Sequence, residues 1–162
     1  MSEVYRAEAV LVTGNNETAD SLRRVAVVDD DEPTRLYFQD ILRSAKGFMF
    51  AGAFSNAIQA LKGIPQLRPD LVLMDIRLPG LNGIECLKQL KQVLAGLKII
   101  VMTGMFNMDL IESALRAGAD GFLTKPVAVE QCLATLRVVD ARQREASPNR
   151  QPAEWQGADG AP

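Results

Sequence analysis

Six polar residues of this sequence, Asp29, Asp30, Asp31, Asp75, Thr103 and Lys125, follow short apolar runs. The aspartate triplet follows Val25-Ala26-Val27-Val28, Asp75 follows Leu71-Val72-Leu73-Met74, Thr103 follows Lys98-Ile99-Ile100-Val101-Met102, and Lys125 closes Gly121-Phe122-Leu123-Thr124. If those runs are strands of one sheet, their polar ends converge in one cleft. Carboxylates gathered there repel one another unless a proton or a cation sits among them. A hard divalent ion answers that repulsion: Mg²⁺, with Mn²⁺ as a substitute, takes a couple of carboxylates, a carbonyl and water, and leaves a position for a phosphoryl oxygen. The chemistry this predicts is phosphoryl transfer to an aspartate. Asp75, after the deepest run, is the expected nucleophile. Asp29 and Asp30 hold the metal with Asp75, and the backbone carbonyl of Arg77 completes its sphere. Lys125 and Thr103 bind phosphoryl oxygens.

The elements that must position these groups are legible from periodicity. The four runs and a fifth, Phe48-Met49-Phe50-Ala51, start about every 25 residues, and each is followed by apolar residues at helical spacing. Examples are Leu36, Ile41 and Leu42; Ile84, Leu87 and Leu90; Ile111, Ala114 and Leu115; and Leu133, Leu136 and Val139. Pro33 suits a first helical turn, Asn82 and Asn107 suit N-caps, and Gly63, Gly96 and Gly118 are placed where helices should stop. Five βα units are too few for an eight-unit barrel, and continuous apolar runs are those of a parallel sheet buried on both faces. The expected fold is α/β: a five-stranded doubly wound parallel sheet, flavodoxin-like, in the order 2-1-3-4-5 with helices on both faces. Ligands bind such sheets beyond the carboxyl ends of the strands. The looser, more alternating second run is expected at an edge.

Composition narrows the chemistry further. The chain has 162 residues, 18 Lys and Arg against 20 Asp and Glu, two cysteines and no histidine. Histidine-dependent hydrolysis and histidine-ligated zinc are therefore excluded. A formal net charge of −2 argues against gripping nucleic acid by bulk charge. No apolar run approaches a membrane span, and none near the N-terminus is long enough for a signal-peptide core. Cys86 and Cys132 lie in apolar, helix-like stretches and are expected to be reduced packing residues, which places the protein in the cytoplasm. The expected organisation is an N-terminal extension over residues 1–22, a domain over 23–141, and a flexible tail over 142–162 containing Trp155. Within the extension, Val4-Tyr5 and Ala9-Val10-Leu11-Val12 can supply an extra strand, and Gly14-Asn15-Asn16 signals a turn.

Taken singly, each polar group has a plainer explanation. Asp29 to Asp31 suit a solvated helix cap, Asp75 a turn before Pro79-Gly80, Thr103 a strand-end hydroxyl, and Lys125 a surface lysine. Their joint placement at four strand ends outweighs these explanations. Arg68, Lys88 and Arg116 belong to no constellation and are expected on solvated faces; Met102, Met105 and Met108 are expected to fill loop and core.

The segments Val27-Val28-Asp29-Asp30-Asp31-Glu32-Pro33, Asp70 to Gly83, Met102-Thr103-Gly104 and Gly118 to Pro126 together resemble the CheY-like receiver domain of two-component response regulators, over about residues 24–140. The resemblance implies that a sensor histidine kinase or a histidine phosphotransfer protein donates a phosphoryl group to Asp75. The lack of histidine suits an acceptor. It further implies that the Thr103 hydroxyl moves toward the phosphoryl group, that the aromatic Phe122 rotates inward behind it, and that Lys125-Pro126 is a cis peptide. The switched surface, around the fourth helix and fifth strand, would then meet a downstream protein or, in a phosphorylation-linked homodimer, a second copy. Phe at position 122 removes any output contact that needs a tyrosine hydroxyl. The chain would act alone through protein contacts; the alternative is the receiver portion of a NarL/LuxR-type transcription regulator. A haloacid-dehalogenase-like phosphatase needs a second acid two residues after its nucleophile, where this chain has Arg77. A flavodoxin-type FMN binder needs a Ser/Thr/Gly-rich loop after the first strand, where this chain has acids.

Overall fold

A computed structural model of the chain describes residues 22–104 and 107–146. Strands and helices alternate: β1 (Arg23–Val28), α1 (Glu32–Ser44), β2 (Phe48–Phe54), α2 (Ala57–Leu67), β3 (Leu71–Asp75), α3 (Gly83–Val93), β4 (Lys98–Thr103), α4 (Met108–Arg116), β5 (Gly121–Thr124) and α5 (Val129–Ala146). All strand pairs are parallel, in the order β2-β1-β3-β4-β5. The expected fold and strand order are those observed. The expectations for the extension before Leu22, for Met105 and for Trp155 lie outside the described residues.

Two hydrophobic layers sandwich the sheet, and the period-two alternation of each strand sorts its side chains between them. In β1, Ala26 and Val28 face the layer with Ala60 and Ile64 of α2 and Leu87 and Leu90 of α3. Val25 and Val27 face the opposite layer, with Phe38 and Leu42 of α1 and Leu136 and Val139 of α5. The two cysteines fall on opposite sides of the sheet, Cys86 in the first layer and Cys132 in the second. Both are free and fully buried, and burial pushes each thiol up to about 11.

Capping starts the helices where the site needs them. Asp31 accepts from Thr34 N at 3.0 Å and from Thr34 Oγ1 at 2.6 Å, opening α1 directly after the acidic loop. Asn82 and Asn107 cap α3 and α4 as expected, and Asn56 caps α2. Gly118 follows α4 with φ +109°. Gly63 is a correction: it lies inside α2, which runs on to Leu67 and ends with Arg68 at φ 48°. The glycine is there because the Phe54 ring occupies the space a side chain would take.

A second correction concerns the expected tail. Helix α5 continues through residue 142 to Ala146 because its last turns are anchored. Gln143 accepts from Arg23 Nη2 at 2.6 Å and donates to the Gly96 carbonyl at 2.8 Å. Arg23 also approaches Asp140 Oδ1 at 2.5 Å through Nε, without hydrogen-bond alignment, and Asp70 Oδ1 at 3.2 Å. One arginine thus ties the start of β1 to α5 and to the loop before β3.

Two outcomes are expected. A Cβ at Gly83 would stand 2.5 Å from the Ile76 carbonyl oxygen and 2.7 Å from that of Asp75, both main chain and unable to move aside cheaply. Gly83→Ala should therefore cost about 2 kcal/mol or more in urea unfolding, whereas Gly104→Ala, with open space at its Cβ, should be close to neutral. Because each thiol titrates near 11, neither cysteine should react with a disulfide reagent at pH 8 in the native protein, and both should react once it is unfolded.

Candidate phosphoryl-acceptor site

The carboxyl ends of β1, β3, β4 and β5 bring the singled-out residues together. β1 lies beside β3, and β3 beside β4, with Asp75 opposite Met102 in register. Thr103 is opposite Thr124 across β4 and β5, and its carbonyl accepts from Lys125 N at 2.8 Å. Lys125 then reaches back across the sheet. Its Nζ lies 2.6 Å from Asp29 Oδ2 and 2.7 Å from Asp75 Oδ2, bridging the first and third strands from beyond the fifth.

The aspartate triplet divides its labour. Asp29 is fully buried, and its Oδ1 accepts from Asp31 N at 2.9 Å. Asp30 is exposed, and Asp31 is the helix cap. The plainer reading of the acids as a cap therefore holds for Asp31 alone. Arg35, one turn into α1, donates from Nη1 to the Asp29 carbonyl at 2.7 Å. Sequence reasoning missed Arg35; its only signal was a basic residue one helical turn beyond the cap. At Asp75, Oδ1 accepts from Arg77 N at 2.8 Å. The contact seen at Arg77 is thus its N–H, while its side chain is exposed. Thr103 is fully buried, Phe122 is 40% exposed on β5, and the Lys125-Pro126 peptide is cis. Arg68 and Lys88 are exposed, and among the described residues Arg116 pairs with Glu112 of its own helix, 3.4 Å away.

The electrostatics of the cluster are unbalanced. One carboxylate oxygen from each of Asp29, Asp30 and Asp75 can be chosen so that all lie within 4.8 Å of one another. Three carboxylates against the one lysine ammonium between them leave two negative charges uncompensated. Burial pushes the Asp29 carboxyl above its ordinary range, although hydrogen bonds from Lys125 and the Asp31 N–H pull the other way. Burial alone would lower the Lys125 ammonium, but its bonds to Asp29 and Asp75 outweigh that and raise it. An oxygen-rich set short of two positive charges, with one exposed and two buried carboxylates, fits a hard divalent cation.

That imbalance has a measurable consequence. Mg²⁺ should raise the melting temperature of the wild-type chain, by the equivalent of about 2.7 kcal/mol at a hundred times its dissociation constant. In EDTA, Asp30→Asn should melt higher than wild type, because one repelling charge is gone, and it should gain less from Mg²⁺. Scanning calorimetry with and without the ion reads both effects.

Known proteins share the sequence family and the fold. Residues 25–137 match the family model described as the response regulator receiver domain. The chemotaxis protein CheY of Thermotoga maritima is 34% identical over 117 residues, covering 72% of this chain and 97% of that protein. Sporulation initiation phosphotransferase F of Bacillus subtilis is 32% identical over 108 residues, covering 67% of this chain and 86% of its own. The response regulator GacA of Pseudomonas aeruginosa is 32% identical over 125 residues, 77% of this chain, but the match spans only 58% of GacA. Among solved structures, a CheY-like receiver domain protein from Methanospirillum hungatei superposes with a TM-score of 0.72 at 30% identity, covering 78% of this chain and 99% of that one. With the family model spanning most of its length, the chain belongs to the receiver-domain family of two-component response regulators.

Proposed function

We propose that Asp75 accepts a phosphoryl group from the phosphohistidine of a sensor histidine kinase or a histidine phosphotransfer protein, in a Mg²⁺-dependent reaction, and that the product switches a protein-binding surface. The observation that carries this reading is the Lys125 ammonium held between Asp75 and Asp29, beside a third carboxylate. Asp29, Asp30, Asp75 and the Arg77 carbonyl would hold a divalent cation, which would neutralise charge on the phosphoryl oxygens.

The chain's own groups do the rest. The Asp75 carboxylate is oriented by the Arg77 N–H on one oxygen and the Lys125 ammonium on the other. A carboxylate oxygen attacks phosphorus; the new O–P bond forms as the N–P bond to the donor imidazole breaks, and the imidazole keeps the electron pair and takes a proton from solvent. Lys125 is already placed to donate to a phosphoryl oxygen. Only Asp75 of this chain is modified, so the reaction is acceptance rather than turnover.

Phosphorylation adds about −2 of charge and new acceptor oxygens. Thr103, buried at the end of the neighbouring strand, donates its hydroxyl to one of them. The Phe122 ring turns inward from its exposed position. Phe122, Met108 and Leu115 present apolar side chains on β5 and α4, 40%, 50% and 42% exposed, and this is the surface whose shape the switch changes. The partner is a downstream protein. The NarL/LuxR alternative is favoured by one finding, that a LuxR-family two-component response regulator from Aurantimonas superposes with a TM-score of 0.71 at 25% identity; coding sequence beyond Pro162 in the native frame would establish it.

With Mg²⁺ and acetyl phosphate, the wild-type chain should gain the mass of one phosphoryl group; Asp75→Asn and EDTA-treated protein should gain none. Lys125→Ala should slow the gain by about tenfold or more, the loss of one charge-assisted hydrogen bond. Thr103→Ala should still gain the mass but leave the Phe122 ring resonances unmoved. Equal labelling of Asp75→Asn would overturn the assignment.

A further inference from the structure

On the reading that Asp29, Asp30 and Asp75 hold a divalent cation, we propose that Arg35 is a positioning residue of the site: it fixes the peptide between Asp29 and Asp30 and so directs the Asp30 carboxylate toward the other two. The three acids of the triplet are not held equally. Asp29 is held at four atoms. Its N donates to the Phe54 carbonyl at 3.1 Å, its Oδ1 accepts from Asp31 N at 2.9 Å, its Oδ2 from Lys125 Nζ at 2.6 Å, and its carbonyl from Arg35 Nη1 at 2.7 Å. The Asp31 carboxylate is engaged in capping α1. The exposed Asp30 carboxylate has no hydrogen bond or ion pair among the described residues, yet one of its oxygens completes the three-carboxylate cluster. Its direction therefore comes from the main chain.

Arg35 controls that main chain. A peptide group is planar, so the Asp29 carbonyl moves as one unit with the Asp30 N–H and Cα. A guanidinium bond to the carbonyl is charge-assisted and holds the orientation of the whole unit. The bond reaches back six residues, from α1 over its own cap to the end of β1. Helix α1 is seated in the core through the buried Phe38 and Leu42, so the acidic loop is braced against a fixed element.

Local preference does not account for this arginine. It is the fourth residue of α1, where a cation opposes the helix dipole; Glu32, the first, follows the rule. Among the described residues Arg35 forms no ion pair, although carboxylates crowd the loop beside it, and its guanidinium is bonded to a carbonyl instead. Departures from local preference are expected where a site requires them. Charge alone would give Arg35 the opposite effect on the cation, because a guanidinium beside the cluster repels a second positive ion. Removing it should then tighten Mg²⁺ binding, whereas losing the brace should weaken it. The sign of the change separates the two roles.

The test is a Mg²⁺ titration of the unphosphorylated 162-residue chain, followed by amide NMR. Arg35→Met keeps an apolar stem and removes the donor, and its Mg²⁺ dissociation constant should rise by about tenfold or more. Arg35→Lys, which restores a charged donor, should lie between that variant and wild type. Tyr37→Phe is the control: the Tyr37 hydroxyl ties the same helix to the Val127 carbonyl at 2.7 Å, away from the triplet, and its loss should leave Mg²⁺ affinity unchanged. In EDTA, the Asp30 amide of Arg35→Met should lose order on the ps–ns timescale, while the β1 and β3 amides keep theirs and report an intact fold. Affinity that is unchanged or tighter in Arg35→Met, a Lys variant no better than the Met one, or an equal loss in Tyr37→Phe overturns the role of Arg35 and leaves the cation site standing. Wild-type amides that do not respond to Mg²⁺ overturn the cation reading itself, and the role of Arg35 with it.

Discussion

Everything at the functional end of this molecule depends on one constraint: carboxylates from two adjacent strands are held closer than their charges tolerate. The parallel order β1-β3-β4-β5 creates the crowding, because it aims four successive strand ends at one place. The Lys125 ammonium relieves part of it by bonding to Asp29 and Asp75 together. The Asp31 and Arg77 N–H groups relieve more, each turning a main-chain dipole toward a carboxylate. What remains is a deficit of positive charge around three clustered carboxylates, the arrangement a hard divalent cation would fit.

The placement of the polar groups was legible because it required only the strand ends and the order of the strands. Apolar runs fully buried on both faces read as uninterrupted in the sequence, and in β1, β3 and β4 they are buried almost throughout. Edge strand β2 was also legible, from its alternation. What escaped were features decided by contacts far apart in the chain. Gly63 carries the local signal of a helix end, but Phe54 in the neighbouring strand determines its use. Helix α5 carries the polar composition of a tail near its end, yet Gln143 is buried against Arg23 and Gly96, about 120 and 47 residues away. Arg35 was missed because nothing local shows that its guanidinium caps the carbonyl of Asp29. Local pattern determines elements; long-range polar contacts determine where they stop and what stiffens them.

The two cysteines show how sheet geometry settles a question that spacing leaves open. Cys86 and Cys132 are both buried, and the sheet itself stands between them. Their chemistry is that of small apolar side chains.

Arg23 gives the opposite end of the sheet a different mechanical character. It joins β1, the β3 entry loop and α5 at one point, and Gln143 extends the tie to the β4 entry loop. Strand starts pinned together in this way act as a fulcrum. A displacement at the Thr103 and Lys125 end would then meet strands whose starts resist sliding past one another, and would be taken up by their far ends and loops.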